Sequence, residues 1–199
     1  MPTPERTSAG EILSAARSIL EADGLSALTM AAVAARVGIR APSLYKRVGS
    51  RDELVGLVAE ATVQDLAELL DRGAEDLSNP AETVATLARS LRAFASERPA
   101  AYHLIFAPGP GAARPRVETL TRATAVLIRV TERMVGPDEA LEAARLLTAW
   151  IHGFVSMELR GAFRMGGDVD RAFDYGLARL VASLEPSALE PSARDRPAD

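Results

Sequence analysis

The chain of 199 residues contains no cysteine and only two histidines, His103 and His152. The lack of cysteine excludes a disulfide framework, a thiolate metal site and a cysteine nucleophile, and it agrees with a reducing cytoplasm. Neither histidine belongs to a Glu-x-x-His or His-x-x-x-His pair, and no glycine-rich phosphate loop is present. We therefore expect no metal site, no cofactor and no enzymatic activity. Catalysis by carboxylates alone stays open, although the acidic residues lie at helix starts and outward positions, where solvation explains them better.

Long apolar runs are also lacking. No uninterrupted run approaches the roughly 18 to 20 residues that a membrane-spanning helix requires, and the N-terminus does not have the basic-then-apolar order of a signal peptide. The chain is 48% hydrophobic and 25% charged, which is enough apolar material for one ordinary core and a small satellite domain. We expect a soluble, cytoplasmic protein with no membrane partner.

Acidic residues are missing from one stretch of an otherwise acidic chain. The net charge is −4, yet residues 1–51 hold seven Lys and Arg against four Asp and Glu. Residues 24–51 contain five basic residues and no acidic one. Such a local excess of positive charge is where a phosphate-binding surface would be needed.

The hydrophobic spacing predicts an all-α fold, because helical periodicity recurs along the chain and no strand-like alternation appears. A capping box from Ser8 to Glu11 should begin the first helix, and Gly24 should end it. A second capping box, Ser50 to Glu53, should open a helix that connects two domains. Later helices are expected over residues 81–96, 102–106, 114–134, 138–165 and 169–184. The Pro-, Ser- and Ala-rich residues 185–199 are expected to form a disordered tail.

Residues 29–54 have the pattern of two short helices joined by a tight turn, with a third helix behind them. Thr29 can accept a backbone N–H as an N-cap, and Gly38 can take the positive φ that the turn requires. The second helix is expected over residues 41–47, because Pro42 fits only a first turn. The expected inward positions are Leu44 and Val48, and the outward ones are Ser43, Lys46 and Arg47.

This stretch resembles the N-terminal module of the TetR/AcrR family of transcriptional regulators. The resemblance covers residues 8–54 and is carried by Thr29, Gly38, Ile39, Pro42, Ser43, Leu44, Tyr45, Val48 and the sequence Ser-Arg-Asp-Glu-Leu at residues 50–54. Two residues depart from the family pattern: Arg47 stands where His is usual, and Arg51 where Lys is usual. Both departures keep or add positive charge, so they bear on base preference. The resemblance implies a three-helix DNA-binding helix-turn-helix domain at residues 1–52 and a helical ligand-binding and dimerisation domain at residues 53–184.

The resemblance also implies the residues that meet a double-stranded DNA operator. These are Thr29, Arg40, Ala41, Pro42, Ser43, Tyr45, Lys46, Arg47 and Arg51. In the family pattern the Tyr contacts phosphate and the next residue approaches bases; the alternative is that Tyr45 packs its ring on the first helix. Arg51 lies in a first helical turn, where its charge opposes the helix dipole, so a phosphate partner would account for it. The alternative is a solvated surface arginine.

Residues 149–153 resemble the Trp-x-His-Gly stretch of one subgroup of TetR-family C-terminal domains. The resemblance implies a pocket for a small, largely apolar effector, lined by Tyr102, His103, Phe106, Leu127, Trp150, Phe154 and Met157. The alternative is a plain core, since aromatic and Met stripes at helical spacing usually form one. His152 points away from Trp150 around the helix, which favours a structural or interface role.

The last two predicted helices carry apolar residues on more than one side, which predicts a homodimer built as a four-helix bundle. The expected interface residues are Ile151, Leu177, Leu180 and Leu184. Gly153 and Gly161 would permit a close approach of the partner helix, or alternatively would mark a kink. The resulting hypothesis is a ligand-responsive repressor that binds a palindromic operator as a homodimer. The alternative is a helical interaction module whose basic front binds an acidic protein.

Overall fold

The computed structural model of this chain describes residues 8–106 and 115–185, and all of the regular structure within them is helical. This confirms the predicted all-α class. The helices are α1 (Ala9–Asp23), α2 (Met30–Arg36), α3 (Ala41–Tyr45), α4 (Arg51–Gly73), α5 (Pro80–Glu97), α6 (Pro99–Phe106), α7 (Val117–Val135), α8 (Ala140–Leu159) and α9 (Val169–Leu184). In these two ranges, no helix is both long and apolar enough to cross a membrane. The expected tail lies outside the described residues, apart from Glu185.

The chain forms two compact units. The first comprises residues up to 75 together with residues 89–126, and the second comprises residues 76–88 together with those from 127 onward. The predicted division at residues 52 and 53 is a division of function. It stays a prediction, because compactness does not assign function to a segment.

In the first unit, α1 packs against α2, α4 and α6, while α2 packs against α3 and α4 packs against α6. The shared core is apolar; its members include Ile12, Ala16, Leu20, Leu28, Val33, Leu44, Leu54 and Val58. Two short helices alone would bury too little apolar surface to keep their shape. The first helix therefore covers the helix-turn-helix and supplies apolar surface for its core.

The helix starts show both local and tertiary caps. At α1 the capping box is complete, because the Ser8 N–H donates to the Glu11 carboxylate at 2.6 Å and the Glu11 N–H donates to the Ser8 hydroxyl at 3.1 Å. At α4 the Ser50 hydroxyl accepts from the Glu53 N–H, but the Glu53 carboxylate accepts from the Gly49 N–H instead of the Ser50 N–H. The reciprocal half of the second predicted box is therefore shifted by one residue.

Two helices are capped at their N-termini by carboxylates from distant parts of the sequence. Glu21 of α1 accepts the N–H groups of Ala100 and Ala101 at 3.1 and 2.8 Å, at the start of α6. Glu60 of α4 accepts the N–H of Arg116 at 2.8 Å, just before α7. A carboxylate at a helix N-terminus accepts hydrogen bonds from backbone N–H groups that have no partner within the helix. Its negative charge also interacts favourably with the positive end of the helix dipole. Caps of this kind leave no local signal in the sequence, because donor and acceptor lie far apart along the chain.

The long helix predicted over residues 138–165 ends at Leu159. Gly161 has φ 62°, and its N–H donates to the Glu158 carbonyl at 2.8 Å, while the Ala162 N–H donates to the Met157 carbonyl at 2.9 Å. This pair of bonds is a Schellman motif, which ends a helix with a residue in the left-handed region. The expectation that Gly161 lies inside the helix and admits a partner helix is therefore wrong.

In the second unit, α8 and α9 pack against each other. Their buried side chains are Leu147, Ile151 and Val155 on α8 and Phe173, Leu177 and Val181 on α9. Gly176 allows the two helices to approach, because a Cβ atom there would lie 2.3 Å from Cζ2 of Trp150. Of the two glycines singled out in the sequence, Gly153 has open space where its Cβ would be.

Candidate functional sites

The turn of the helix-turn-helix is a Schellman motif around Gly38. The residue has φ 71°, its N–H donates to the Ala35 carbonyl at 3.2 Å, and the Ile39 N–H donates to the Ala34 carbonyl at 2.9 Å. Left-handed backbone is nearly free of cost for glycine and strained for other residues. Ala34 is 2% exposed, and α2 packs against α3. The prediction for this turn is confirmed at the level of the backbone.

The helix after the turn, α3, has only five residues and ends at Tyr45, two residues before its predicted end. Arg40 at its N-cap makes no side-chain cap bond. The chain continues in a turn in which the N–H groups of Arg47 and Val48 both donate to the Leu44 carbonyl, at 2.8 and 2.9 Å. Leu44 is fully buried and Val48 is 4% exposed, as predicted. This helix is therefore held in place by tertiary packing.

The outward side of α3 carries polar and basic groups. Tyr45 is 52% exposed, which argues against the alternative that its ring packs on α1. The other exposed candidates are Arg40, Pro42, Ser43, Lys46 and Arg47, whereas Ala41 is half-buried. Thr29 is exposed at the start of α2, where its hydroxyl accepts the Ala32 N–H at 3.1 Å. Apart from Thr29, these candidates lie on α3 and immediately beside it, within a stretch, residues 24–51, that contains no acidic residue.

Arg51 has a different environment from the other candidates. Its Nε donates to the Leu28 carbonyl at 2.7 Å, and one terminal nitrogen donates to the Leu25 carbonyl at 2.6 Å. Two protein carbonyls therefore account for a cation in the first turn of α4. A phosphate partner is not needed to explain it, which removes the argument that the sequence offered.

An aromatic cluster forms in the second unit around the Trp-x-His-Gly stretch. The ring of Trp150 lies 5.6 Å from that of Phe154 and 5.5 Å from that of Phe173, measured between centroids. Phe163, which follows α8, lies 4.7 Å from Phe154. Offset and tilted rings at such distances attract each other beyond the apolar area they bury. Neither Phe163 nor Phe173 was among the predicted effector contacts, although Phe173 lies on the apolar stripe of the last helix.

The remaining effector candidates lie in different surroundings. Tyr102 is fully buried in the first unit, where its ring lies tilted at 4.6 Å from that of Phe106, and burial raises the pKa of its hydroxyl. His103 is half-buried beside it. In the second unit, Leu127 is half-buried and Met157 is 49% exposed. The joint role of these residues in one effector site stays a prediction.

The predicted dimer residues divide into two groups. Ile151 and Leu177 are 4% and 2% exposed within a single chain, so they contribute to the α8–α9 core and leave little surface for a partner. Leu180 and Leu184 are half-buried. His152 lies 3.4 Å from the Ser156 hydroxyl, which agrees with the structural role expected for it.

The helix-turn-helix and the C-terminal helices each match a known protein family model. A family model described as bacterial regulatory proteins of the tetR family matches residues 12–58. A second model, described as the tetracyclin repressor-like C-terminal domain, matches residues 84–180. The chain belongs to the TetR family. It is a DNA-binding transcriptional regulator, which confirms the resemblance that residues 8–54 carry.

Individual TetR-family and structural relatives agree with this assignment. An uncharacterized HTH-type transcriptional regulator of Mycobacterium tuberculosis (strain ATCC 25618 / H37Rv), Rv0681, is 29% identical over 184 residues, which cover 92% of this chain and 84% of that protein. A protein with unknown function from Rhodococcus sp. RHA1 is similar in structure, with a TM-score of 0.78 and 23% identity over 93% of this chain and 100% of that one. A TetR variant from Acinetobacter baumannii AYE in complex with minocycline has a TM-score of 0.66 and 23% identity, covering 89% and 96% of the two chains. At these identities the two solved structures show the fold alone.

Proposed function

We propose that this TetR-family regulator is a ligand-responsive repressor that binds a palindromic operator as a homodimer. One observation carries the DNA-binding part: α3 presents an exposed polar and basic side within a stretch that holds five basic residues and no acidic one. Two copies of α3 related by a two-fold axis enter successive major grooves when they are about 34 to 36 Å apart, or at another whole number of turns. A two-fold protein then requires a palindromic site.

The roles within this surface follow from exposure and chemistry. Tyr45 and Arg47 contact phosphate, and Lys46 approaches base edges, because all three are exposed at the end of α3 or in the turn that follows it. Arg40, Ala41, Pro42 and Ser43 lie at its start, where the exposed Arg40 and Ser43 side chains donate to phosphate. Thr29 is the N-cap of α2 and lies near the same DNA phosphate backbone. Arg51 is not part of this surface, because its guanidinium is bonded to two protein carbonyls.

The dimer partner is a second copy seated on the exposed side of α8. That side has Leu146, 46% exposed, near one end and Met157, 49% exposed, near the other. Between them lie the exposed small residues Ala149 and Gly153. Small residues between larger apolar ones let two helix backbones approach closely, and Leu180 and Leu184 on α9 add half-buried apolar surface. This interface replaces the Ile151 side of α8, which its own chain buries.

The effector is a small, largely apolar molecule that contacts the aromatic cluster. Trp150 and Phe154 are only half-buried, and Met157 is exposed beside them, so the cluster offers apolar surface. The crystal structure of the Acinetobacter baumannii TetR variant contains a small molecule, minocycline. Effector binding needs only to change the separation of the two recognition helices to release the operator.

DNA binding is tested by selecting sites from random duplex DNA with the full-length protein and then measuring affinity against salt. We expect a palindromic selected site and a log-affinity slope of roughly −0.9 per phosphate neutralised. A slope near zero, or binding only to an acidic protein, would support the interaction module and overturn the proposal.

Dimerisation is tested on two exposed leucines of the same helix. Leu146 and Leu141 are 46% and 43% exposed, and they lie about 140° apart around the helix at 100° per residue. Leu146→Glu should yield monomers by sedimentation velocity and lose palindrome binding, because a two-fold interface contains the substitution twice. Leu141→Glu is the matched control and should stay dimeric. Equal behaviour of the two variants would place the interface elsewhere.

The effector site can be followed by intrinsic fluorescence, since Trp150 is the only tryptophan of the chain. Titration with 1-anilinonaphthalene-8-sulfonate as an apolar probe should change the Trp150 emission and release selected DNA over the same concentration range. Probe binding without any change in Trp150 emission would argue against the aromatic cluster as the site.

A further inference from the structure

The guanidinium of Arg51 links the start of α4 to the loop that precedes the helix-turn-helix. Arg51 is the first residue of α4, and its two donor bonds reach the carbonyls of Leu28 and Leu25 in the loop between α1 and α2. Leu28 directly precedes Thr29, the N-cap of α2. The segment from Leu28 to Arg51 therefore contains α2, the Gly38 turn and α3, and a side chain joins its two ends.

The loop that Arg51 contacts is held by the burial of Leu28 and by a small number of backbone hydrogen bonds. Its backbone bonds are the long ones from the Ala27 N–H to the Gly24 carbonyl at 3.2 Å and from the Leu28 N–H to the Leu25 carbonyl at 3.3 Å. The Arg51 bonds are shorter, and hydrogen bonds from a charged donor are roughly twice as strong as neutral ones. Below the loop, Leu28 is fully buried, so its carbonyl would be costly to leave without a partner.

The recognition helix depends on this kind of restraint. At five residues and without a side-chain cap, α3 is too short to be stable by itself. Its direction is set by the buried Leu44, by the Gly38 turn and by the position of α2, whose entry the Leu28 carbonyl fixes. A small rotation of α2 about its start would move the exposed end of α3, because the turn joins the two helices rigidly.

Arginine fits this contact better than lysine does. The planar guanidinium presents Nε and a terminal nitrogen in a fixed fork, whereas a lysine offers one ammonium at the end of a flexible stem. The two bonds also explain why a cation is tolerated in the first turn of α4, where the helix dipole disfavours it. Charge alone would be supplied equally well by lysine.

We propose that Arg51 is a positioning residue that fixes the direction of the recognition helix by clasping the Leu25 and Leu28 carbonyls, and that it does not neutralise a DNA phosphate. This inference rests on the proposed operator binding. Specific binding needs α3 in register with the bases, while binding to random DNA depends mainly on positive charge. Loss of the clasp should therefore reduce specificity more than it reduces general affinity.

The test compares Arg51→Lys, Arg51→Ala and the unchanged protein on selected and random DNA at several salt concentrations. Both variants should lose about tenfold or more in the ratio of specific to random affinity, the equivalent of one misplaced base contact. Their salt slopes should equal that of the unchanged protein. Amide exchange of residues 25–29, measured on the folded full-length chain, should be faster in both variants.

Two controls bracket the expected result. Lys46→Ala removes an exposed charge from the DNA surface and should reduce the magnitude of the salt slope by about 0.9. Arg164→Lys makes the same chemical change at an exposed arginine whose Nε donates to the nearby Gly161 carbonyl in the second unit, and it should leave DNA binding unchanged.

Three outcomes would overturn the clasp. A smaller slope in Arg51→Ala that Arg51→Lys restores would make Arg51 a phosphate contact. A lower melting temperature with unchanged specificity would make its role one of stability alone. If the unchanged protein shows no selective DNA binding, the proposed function fails, and unaltered amide exchange of residues 25–29 in Arg51→Lys would then overturn the clasp separately.

Discussion

Gly38 in the helix-turn-helix and Gly176 in the α8–α9 pair are both required, but for different reasons. Gly38 has φ 71° and open space where a Cβ would be, so the backbone conformation requires glycine. Gly176 lies in a regular helix, and there the ring of Trp150 occupies the Cβ position. A backbone requirement arises from neighbours in sequence, whereas a volume requirement arises from a residue 26 positions away. The first kind is visible in a sequence pattern, and the second is not.

The largest effect is expected from Gly176→Ala. The added Cβ would meet Trp150 at 2.3 Å, so the two helices must separate or the ring must move. Overpacking of this kind costs about 1 to 3 kcal/mol, even though alanine favours a helix. Chemical denaturation measures the loss of stability, and Trp150 fluorescence reports the displaced ring.

Gly153→Ala is the matched control for that substitution, because it lies on α8 with open space around the new Cβ. Within a single chain it should stabilise the helix by up to ~1 kcal/mol. Weaker dimerisation in the same variant would support the proposed interface. Equal destabilisation by the two substitutions would mean that Gly176 does not owe its identity to Trp150.

Gly38→Ala and Gly161→Ala should have similar effects on stability and different effects on DNA binding. Both glycines end a helix in the left-handed region, with φ 71° and 62°. Alanine in that conformation costs roughly 1 to 2 kcal/mol. Only Gly38→Ala should also weaken selected DNA, because its turn orients α3. DNA affinities at a temperature where both variants are folded decide the matter; a comparable loss for Gly161→Ala would contradict the assignment.

Tyr45→Phe should have a smaller effect, confined to DNA binding. The hydroxyl is exposed at the end of α3, and losing one hydrogen bond to phosphate removes about 1 kcal/mol from the affinity. Phosphate contacts carry no sequence information, so selected and random DNA should weaken alike. Mobility-shift titrations of both DNAs provide the measurement. A loss restricted to selected DNA would assign Tyr45 to a base instead.

The smallest effect concerns acid stability and compares the Glu60 carboxylate, which caps a distant helix, with an exposed carboxylate on the same helix. Partial desolvation raises the pKa of Glu60, but the hydrogen bonds from Thr119 and Arg116 and the charge of Arg116 outweigh it, so the pKa lies below its ordinary value of 4.5. Because folding lowers this pKa, the contribution to stability is present above pH 4.5 and is lost as the pH falls through the folded-state value.

Glu60→Gln should therefore lower stability near neutral pH and make the decline below pH 4.5 shallower than in the unchanged protein. Glu68→Gln, an exposed carboxylate on the same helix, is the control. Urea denaturation midpoints measured between acid and neutral pH provide the comparison. Identical pH profiles for Glu60→Gln and the unchanged protein would show that the cap has no energetic role.

The sequence determined the parts of this protein that depend on local chemistry. Ser8 and Gly24 bound α1, Thr29 begins α2, and Gly38 forms the turn, because each acts on backbone groups a few residues away. The same local signals carried the TetR resemblance that the family models confirm. Local signals did not determine every helix end. Gly161 ends α8 in the same way that Gly38 ends α2, but apolar residues at helical spacing continue past Gly161, so the sequence pattern predicted a longer helix.

Only the tertiary structure decided which groups meet across long separations. It placed the carboxylates of Glu21 and Glu60 at the starts of α6 and α7. It also placed the carbonyls of two loop residues where the Arg51 guanidinium donates hydrogen bonds to them. It also buried Ile151 within its own chain and left Leu146 exposed on the same helix. Periodicity shows that a helix has apolar sides, but which side is buried depends on the elements packed against it, and an arginine's partner depends on which carbonyls lie within reach.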